Sequence, residues 1–426
     1  MSFRGKLWVL VLSGAIAAYA VIGGLPAVGS FLTANAQQTV NDPNAQLKIV
    51  ESVLDHIQND YVDIPDMEKV RVGALRGLTA GLDPYSSYLT PEQAEAYKAG
   101  KADKTGIGAE FASVSGYLYV LSVTKGGPAE KAGIKNGDVI EYIGAKATRD
   151  VQLYDAIHLV EGDPGTTVAL RVLRSGEKPQ TITVTRGDVK SPAPETKIET
   201  GKTGVVKVFS LDKGDADKVR EAVNSLSKQG VQKIVLDLRA VAGGSLEEGV
   251  KVANLFIGNG ALATEVGKDN KITKTYSADP SQVVFEGKAA IVANINTAGA
   301  AEAVVAAFAD HKRGAIVGER TFGAGSDQKF FPLSAGGGLL LTVAKWASPS
   351  GVPFFGDDRN SLGIKPSIEV KRGDTQNPED VDTLLDKAAP TDPSQQVAPT
   401  PTPTPKPVIH EDIQLKKAIE VLNSAA

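Results

Sequence analysis

The feature that most limits how this chain can fold is an alternation that begins at Gly204. "GVVKVFSL" reads as a strand, and "DADKVREAVNSLSKQG" as an amphipathic helix with Val219, Ala222, Val223 and Leu226 on one face and Gly230 as its stop. "KIVLDLR" then reads as a buried strand. The pattern continues through a helix from Gly249 to Phe256, a strand from Ala289 to Ile295, a helix from Ala300 to His311, and strands Ala315 to Gly318 and Leu339 to Lys345. Strands separated by helices must bury both faces of a sheet, which predicts a layered α/β core.

Upstream of this core the character differs. Leu47, Val50, Leu54, Ile57 and Tyr61 recur at helical spacing, as do Val70, Ala74, Leu75 and Leu78 after an Asp66 cap. Thr90-Pro91-Glu92-Gln93 has the form of a capping box with proline at the first helical position. Residues 44–100 are therefore read as a helical packing region. From Lys101 short β-rich runs are broken by glycines: "GIGAEF" (106–111), "YLYVLSV" (117–123), "DVIEYIG" (138–144), "TVALRVLR" (167–174) and "QTITVTRG" (180–187), with one helix from Val151 to Val160. This spacing predicts a compact module over 104–188. The fold class expected is α/β in the core within an α+β multidomain chain, with the core at 195–370, a polar Pro/Thr-rich linker at 371–408 and a short helix at 409–426.

Arg4 and Lys6 precede an uncharged, apolar stretch from Leu7 to Val28, and Ala34-Asn35-Ala36 has a small-x-small form. Residues 1–36 thus read as a cleaved export signal or a retained membrane anchor. The expected location is outside the cytoplasm, periplasmic or otherwise, with membrane contact through this segment alone. A formal net charge of −4, from 46 basic and 50 acidic residues, gives no basis for a nucleic-acid partner. The chain has no cysteine, which excludes disulfides and thiolate chemistry. His56, His158, His311 and His410 are scattered, so neither a metal site nor any other cofactor is expected.

The run "GIGAEF" followed by "SVTKGGPAEKAGIKNGDVIEYIGAKA" (122–147) resembles a PDZ domain. In such a module Gly106, Ile107 and Gly108 form a loop whose N–H groups hold a peptide carboxylate, while the next strand edge takes up the peptide as an added strand. Further pieces match one family in order: "LDPYSSYL" (82–89), "IVLDLRAVAGGSLEEGVKVANLFI" (234–257), "NTAGAAEAVVAAFADHKRGAIVGERTFGAGSDQ" (296–328), "LTVAKWASPSGVPF" (341–354) and "GIKPSIEV" (363–370). Together they resemble the C-terminal processing peptidases, or tail-specific proteases. The resemblance implies serine peptidase ancestry and partners that are polypeptide C-termini or unfolded proteins, with an active paralogue of the family as a further partner.

That family uses a serine nucleophile at a Ser-Ala-Ser-Glu helix start, a lysine base 25 positions later and a glutamine four positions beyond. With Glu302 on the family glutamate, the nucleophile position is Gly299, the base position Ala324 and the glutamine Gln328. Glycine offers no oxygen to acylate and alanine no amine to take a proton. The oxyanion-binding amides would come from Gly243, Gly244 and Ala300, although the family's Asn-Pro-Gly-Gly turn is Val241-Ala242-Gly243-Gly244 here. The expectation is an inactive relative that binds C-termini as an adaptor or regulator. Two alternatives stand beside it. One is an active endopeptidase with Ser326 as a relocated nucleophile, Lys329 and Lys312 being near in sequence. The other is a structural envelope protein with the terminal helix as an assembly element. Asp237 and Arg239 are read as a structural polar pair.

Overall fold

The computed structural model describes residues 43–100, 105–356, 362–372, 381 and 411–424. The export segment and most of the Pro/Thr-rich linker lie outside the described residues. Residues up to Ala74 and those from Leu75 onward form two compact units. Helix α1 (Pro43–Asp60) and helix α2 (Met67–Ala80) are the first described elements. Asp66 accepts from the N–H groups of Glu68 and Lys69, as the capping pattern predicts. Along α1, Leu54 and Ile57 are half-buried while Leu47 and Val50 are exposed, so the apolar stripe is only partly used for packing.

Strand β1 (Ser87–Leu89) leads into α3 (Pro91–Lys98) through the expected box: Gln93 N–H donates to Thr90 Oγ1, and Thr90 N–H to Gln93 Oε1. The module that follows comprises β2 (Ala109–Val114), β3 (Tyr117–Val123), α4 (Pro128–Ala132), β4 (Val139–Ile143), β5 (Lys146–Ala147), α5 (Leu153–Val160), β6 (Thr167–Leu173) and β7 (Gln180–Thr185). Its strands run in the order β2-β3-β4-β6-β7, which leaves β2 at an edge.

The core contains β8 (Glu195–Glu199), β9 (Thr203–Lys207), α6 (Asp215–Lys228), β10 (Lys233–Asp237), α7 (Leu246–Asn254), β11 (Ala261–Val266), β12 (Ile272–Ser277), β13 (Lys288–Ala293), α8 (Ala300–Asp310), β14 (Gly314–Gly318), β15 (Ser326–Pro332), β16 (Gly338–Ala347) and β17 (Ile368–Glu369). The central sheet has the order β17-β14-β13-β10-β9-β8 and is parallel except for β8. Its side chains divide by the two-residue period of a strand. Val206, Ile234, Leu236 and Ile291 pack with Val219 and Val223 of α6, Val252 of α7 and Val304 of α8.

Val205, Val235, Ala290, Val292 and Val317 face the other way. There they meet Ala418 and Leu422 of α9 (Ile413–Ser424). The terminal helix covers the second face of its own sheet. Arg239 fastens it, donating to both carboxylate oxygens of Asp412 at 2.8 and 2.7 Å while also gripping Asp237. Burial alone would raise the Asp237 carboxyl, but Lys207 and Arg239 overcome that and hold it at about 2. A second, antiparallel sheet, β1-β16-β11-β12 with β15 on β16, flanks the core.

Candidate functional site

The turns that leave β10 and β13 stand side by side at the carboxyl edge of the parallel strands, where open α/β sheets commonly bind ligands. The first carries Gly243 and Gly244, the second carries Gly299 at the start of α8. Ala298 N–H donates to Val241 O at 2.9 Å and Thr297 Oγ1 to Leu238 O at 2.9 Å, stitching the turns together. Gly244 has φ +76, and a Cβ there would lie 2.2 Å from the Leu211 carbonyl oxygen, so only glycine fits.

Gly299 is the N-cap of α8, with φ +60 and ψ −119, a conformation that L side chains adopt at a cost. Space itself is available: a Cβ on Gly299 would stand 3.5 Å from the Gly243 oxygen, 3.8 Å from the Gly243 nitrogen and 3.8 Å from Trp346. The fold therefore brings positions 299 and 243 together, and Ala300 occupies the first turn of α8, where helical N–H groups lack helical partners.

Glu302, fully buried on that first turn, ties the site to a distant loop. Its carboxylate accepts from Gly299 N–H at 3.0 Å, Ala324 N–H at 2.8 Å, Gly323 N–H at 2.8 Å and Thr321 Oγ1 at 2.5 Å. One oxygen, Oε2, serves both Gly299 and Ala324. Burial pushes this carboxyl up to about 7 against four hydrogen bonds that favour its ionised form. Sequence spacing places Glu302 opposite the open N–H groups of its own helix; the bonds to residues 321–324 carry no local signal and are visible only in the fold.

Ala324 is buried, and its neighbours explain what that position now does. It belongs to an apolar cluster formed by Ala242 and Ala298 of the core with Ala112, Val114, Tyr119 and Leu121 of the module. Strand β2 thus lies across the turns that bear Gly243 and Gly299. Glu110, next along β2, brings its carboxylate so close to Gly243 that a Cβ there would meet the carboxyl carbon at 2.9 Å. Exposed along one edge, Glu110 is nevertheless raised to about 7 by desolvation in this cleft, with Asp212 and Glu161 adding to it. Nothing in the sequence marks this residue.

The Gln328 amide donates to Ser326 Oγ at 2.8 Å and weakly to Thr342 Oγ1 at 3.4 Å, within the β15–β16 hairpin. Ser326 pairs with Lys345 across that hairpin, but the Lys345 ammonium lies over the Phe355 ring. Lys329 lies over Phe331, and Lys312 follows α8 at φ +50, so neither is drawn to Ser326 by any described contact. His311 Nε2–H donates to Ala261 O at 2.6 Å, which ties the end of α8 to β11. Among the described residues no group of His, Asp and Glu has metal-binding geometry.

In the module the carbonyls of Gly106, Ile107 and Gly108 accept from Gly187, Ala129 and Thr124 at 3.2, 2.7 and 2.8 Å. Gly108 has φ +74. No described hydrogen bond uses the N–H groups of these three residues, and the strand run expected from residue 106 begins only at Ala109, leaving a loop before a free edge.

Comparison with known proteins follows this geometry. Residues 202–370 match the model of peptidase family S41 and residues 105–185 that of a PDZ domain. The carboxy-terminal processing protease CtpA of Bacillus subtilis (strain 168) is 30% identical over 375 residues, spanning 87% of this chain and 78% of that protein. The chain belongs to peptidase family S41. A probable CtpA-like serine protease of Staphylococcus aureus (strain MSSA476) is 32% identical over 371 residues, 86% of this S41 chain and 73% of the relative. Among solved structures, a photosystem II D1 C-terminal processing protease superposes with a TM-score of 0.64 at 29% identity, covering 80% of this chain and 89% of that one. The S41 core and PDZ module are thus those of the C-terminal processing proteases.

Proposed function

We propose that this S41 chain binds polypeptide C-termini through its PDZ module, leaves their peptide bonds intact at the turn of Gly299, and acts as an adaptor or as a regulator of an active relative. One observation carries the reading: the sequence has glycine at 299 and alanine at 324, where the family motif, set on Glu302, would put its serine and lysine. An acyl-enzyme needs an attacking oxygen and a base, and losing both costs on the order of 10⁴ to 10⁶ in turnover in serine proteases. Were the amides of Gly243, Gly244 and Ala300 to hold an oxyanion, that site without a nucleophile would only bind. The apolar Leu7 to Val28 stretch supports an exported protein, testable by protease accessibility in intact cells.

The test is degradation of an unfolded protein with an apolar C-terminus by the native chain and by the Gly299→Ser/Ala324→Lys variant. A lysine among Ala242, Ala298 and Ala112 would be desolvated, which lowers an ammonium pKa and favours the neutral base. The expected result is no turnover by the native chain and measurable turnover by the variant. Native turnover that disappears in Ser326→Ala would overturn the reading in favour of a relocated nucleophile.

A further inference from the structure

A cavity of about 590 Å³ lies beside the Thr321–Gly323 loop, on a part of the core that includes neither Gly299 nor Gly243. Tyr85, Ile295, Phe322, Phe355 and Leu362 line it, and Ser113 of the PDZ edge strand forms part of its wall. Its size is that of pockets which enclose a small ligand or a short stretch of chain. The wall is held before any ligand arrives: Glu302 fixes Thr321 and Gly323, Phe322 N–H donates to Thr297 O at 2.9 Å, and the Phe322 ring stacks on Tyr119 at 6.2 Å. Tyr85 and Phe355 meet edge to face at 5.3 Å. The lining is mixed: Asp83, Glu319 and Glu369 stand with Arg320 and Lys371 around an aromatic patch of Tyr85, Phe322 and Phe355, and that patch is where a bulky apolar side chain fits.

The position of Ser113 connects this cavity to the peptide groove. A C-terminal carboxylate held at residues 106–108 obliges the rest of its chain to run antiparallel along β2, from Gly108 toward Ser113. At about 3.3 Å per residue, five residues bring the peptide about 17 Å along the edge. We propose that the cavity receives a bulky apolar side chain about five residues upstream of the docked C-terminus, seated against Tyr85, Phe322 and Phe355. The module and the core then read one ligand in two places, the carboxylate at the loop and the apolar side chain at the cavity. This inference rests on the PDZ reading above and adds a second determinant to it.

Two pools of labelled decapeptides, both ending in a free apolar residue, decide it by fluorescence polarisation. One fixes Phe at the sixth position from the C-terminus, the other Gly, with all remaining positions randomised. The Phe pool should bind the full chain about tenfold more tightly, and Phe355→Ala should erase that preference while leaving the Gly pool unchanged. Equal binding of both pools to the native protein, with amidated peptides failing to bind, would overturn the cavity and leave the PDZ reading standing. Failure of both pools to bind would sink the PDZ reading and the cavity with it.

Discussion

At the residue scale, a carboxyl group shut away from water at position 302 must ionise at a cost or keep its proton. Because its native value of about 7 lies above the ordinary 4.5, the folded state binds the proton more tightly than the unfolded chain. Its contribution is therefore most favourable below pH 4.5 and falls as pH rises through 7, by about 3 kcal/mol in total. Urea unfolding at pH 5 and pH 8 should show this loss, and Glu302→Gln should remove most of the slope. Glu110 titrates in the same range, but its open edge to solvent keeps its share small. Asp237 acts in the opposite sense, since its contribution is lost only as pH falls from 3.8 toward 2. Gly299→Ser alone should lower stability by about 1–3 kcal/mol through its backbone, because there is room for the side chain and none of the φ freedom. Thermal melting measures this, and the same protein should show no turnover.

At the element scale, the terminal helix shows what a helical period conveys and what it leaves out. Ile413, Leu415, Ala418, Ile419 and Leu422 announce an amphipathic helix, yet the identity of the surface it covers depends on alternate residues of strands over a hundred positions away. Leu422→Ala should cost about 2–5 kcal/mol in chemical denaturation, the range for truncating a buried leucine side chain to alanine. The strong alternation from Gly204 was legible because buried parallel strands are continuous apolar runs. Strands β8 and β12 were not, since "ETKIE" and "ITKTYS" are polar and mostly exposed edge segments whose pairing comes from neighbours rather than from composition. The same division holds in the site: Gly299, Gly243 and Gly108 stand out as residues in turns, whereas Glu110 becomes part of the cleft only through docking.

At the scale of the whole molecule, the PDZ module and the core share one apolar cluster, with Tyr119 Oη donating to Asn296 Oδ1 at 3.2 Å beside it. Residues from Leu75 onward form one compact unit, so calorimetry should record a single transition for module and core. Ala112→Trp overfills the cluster and should split or broaden that transition, as read by calorimetry. The docking of α9 has a further consequence for synthesis. Until residues 413–424 are made, the face formed by Val205, Val235, Ala290 and Val292 lacks Ala418 and Leu422, the buried helical side chains that pack on it. Between completion of β14 at Gly318 and synthesis of α9 from Ile413, the nascent chain carries that apolar face without its helix, and a chaperone that shields it would stand in for the helix not yet made.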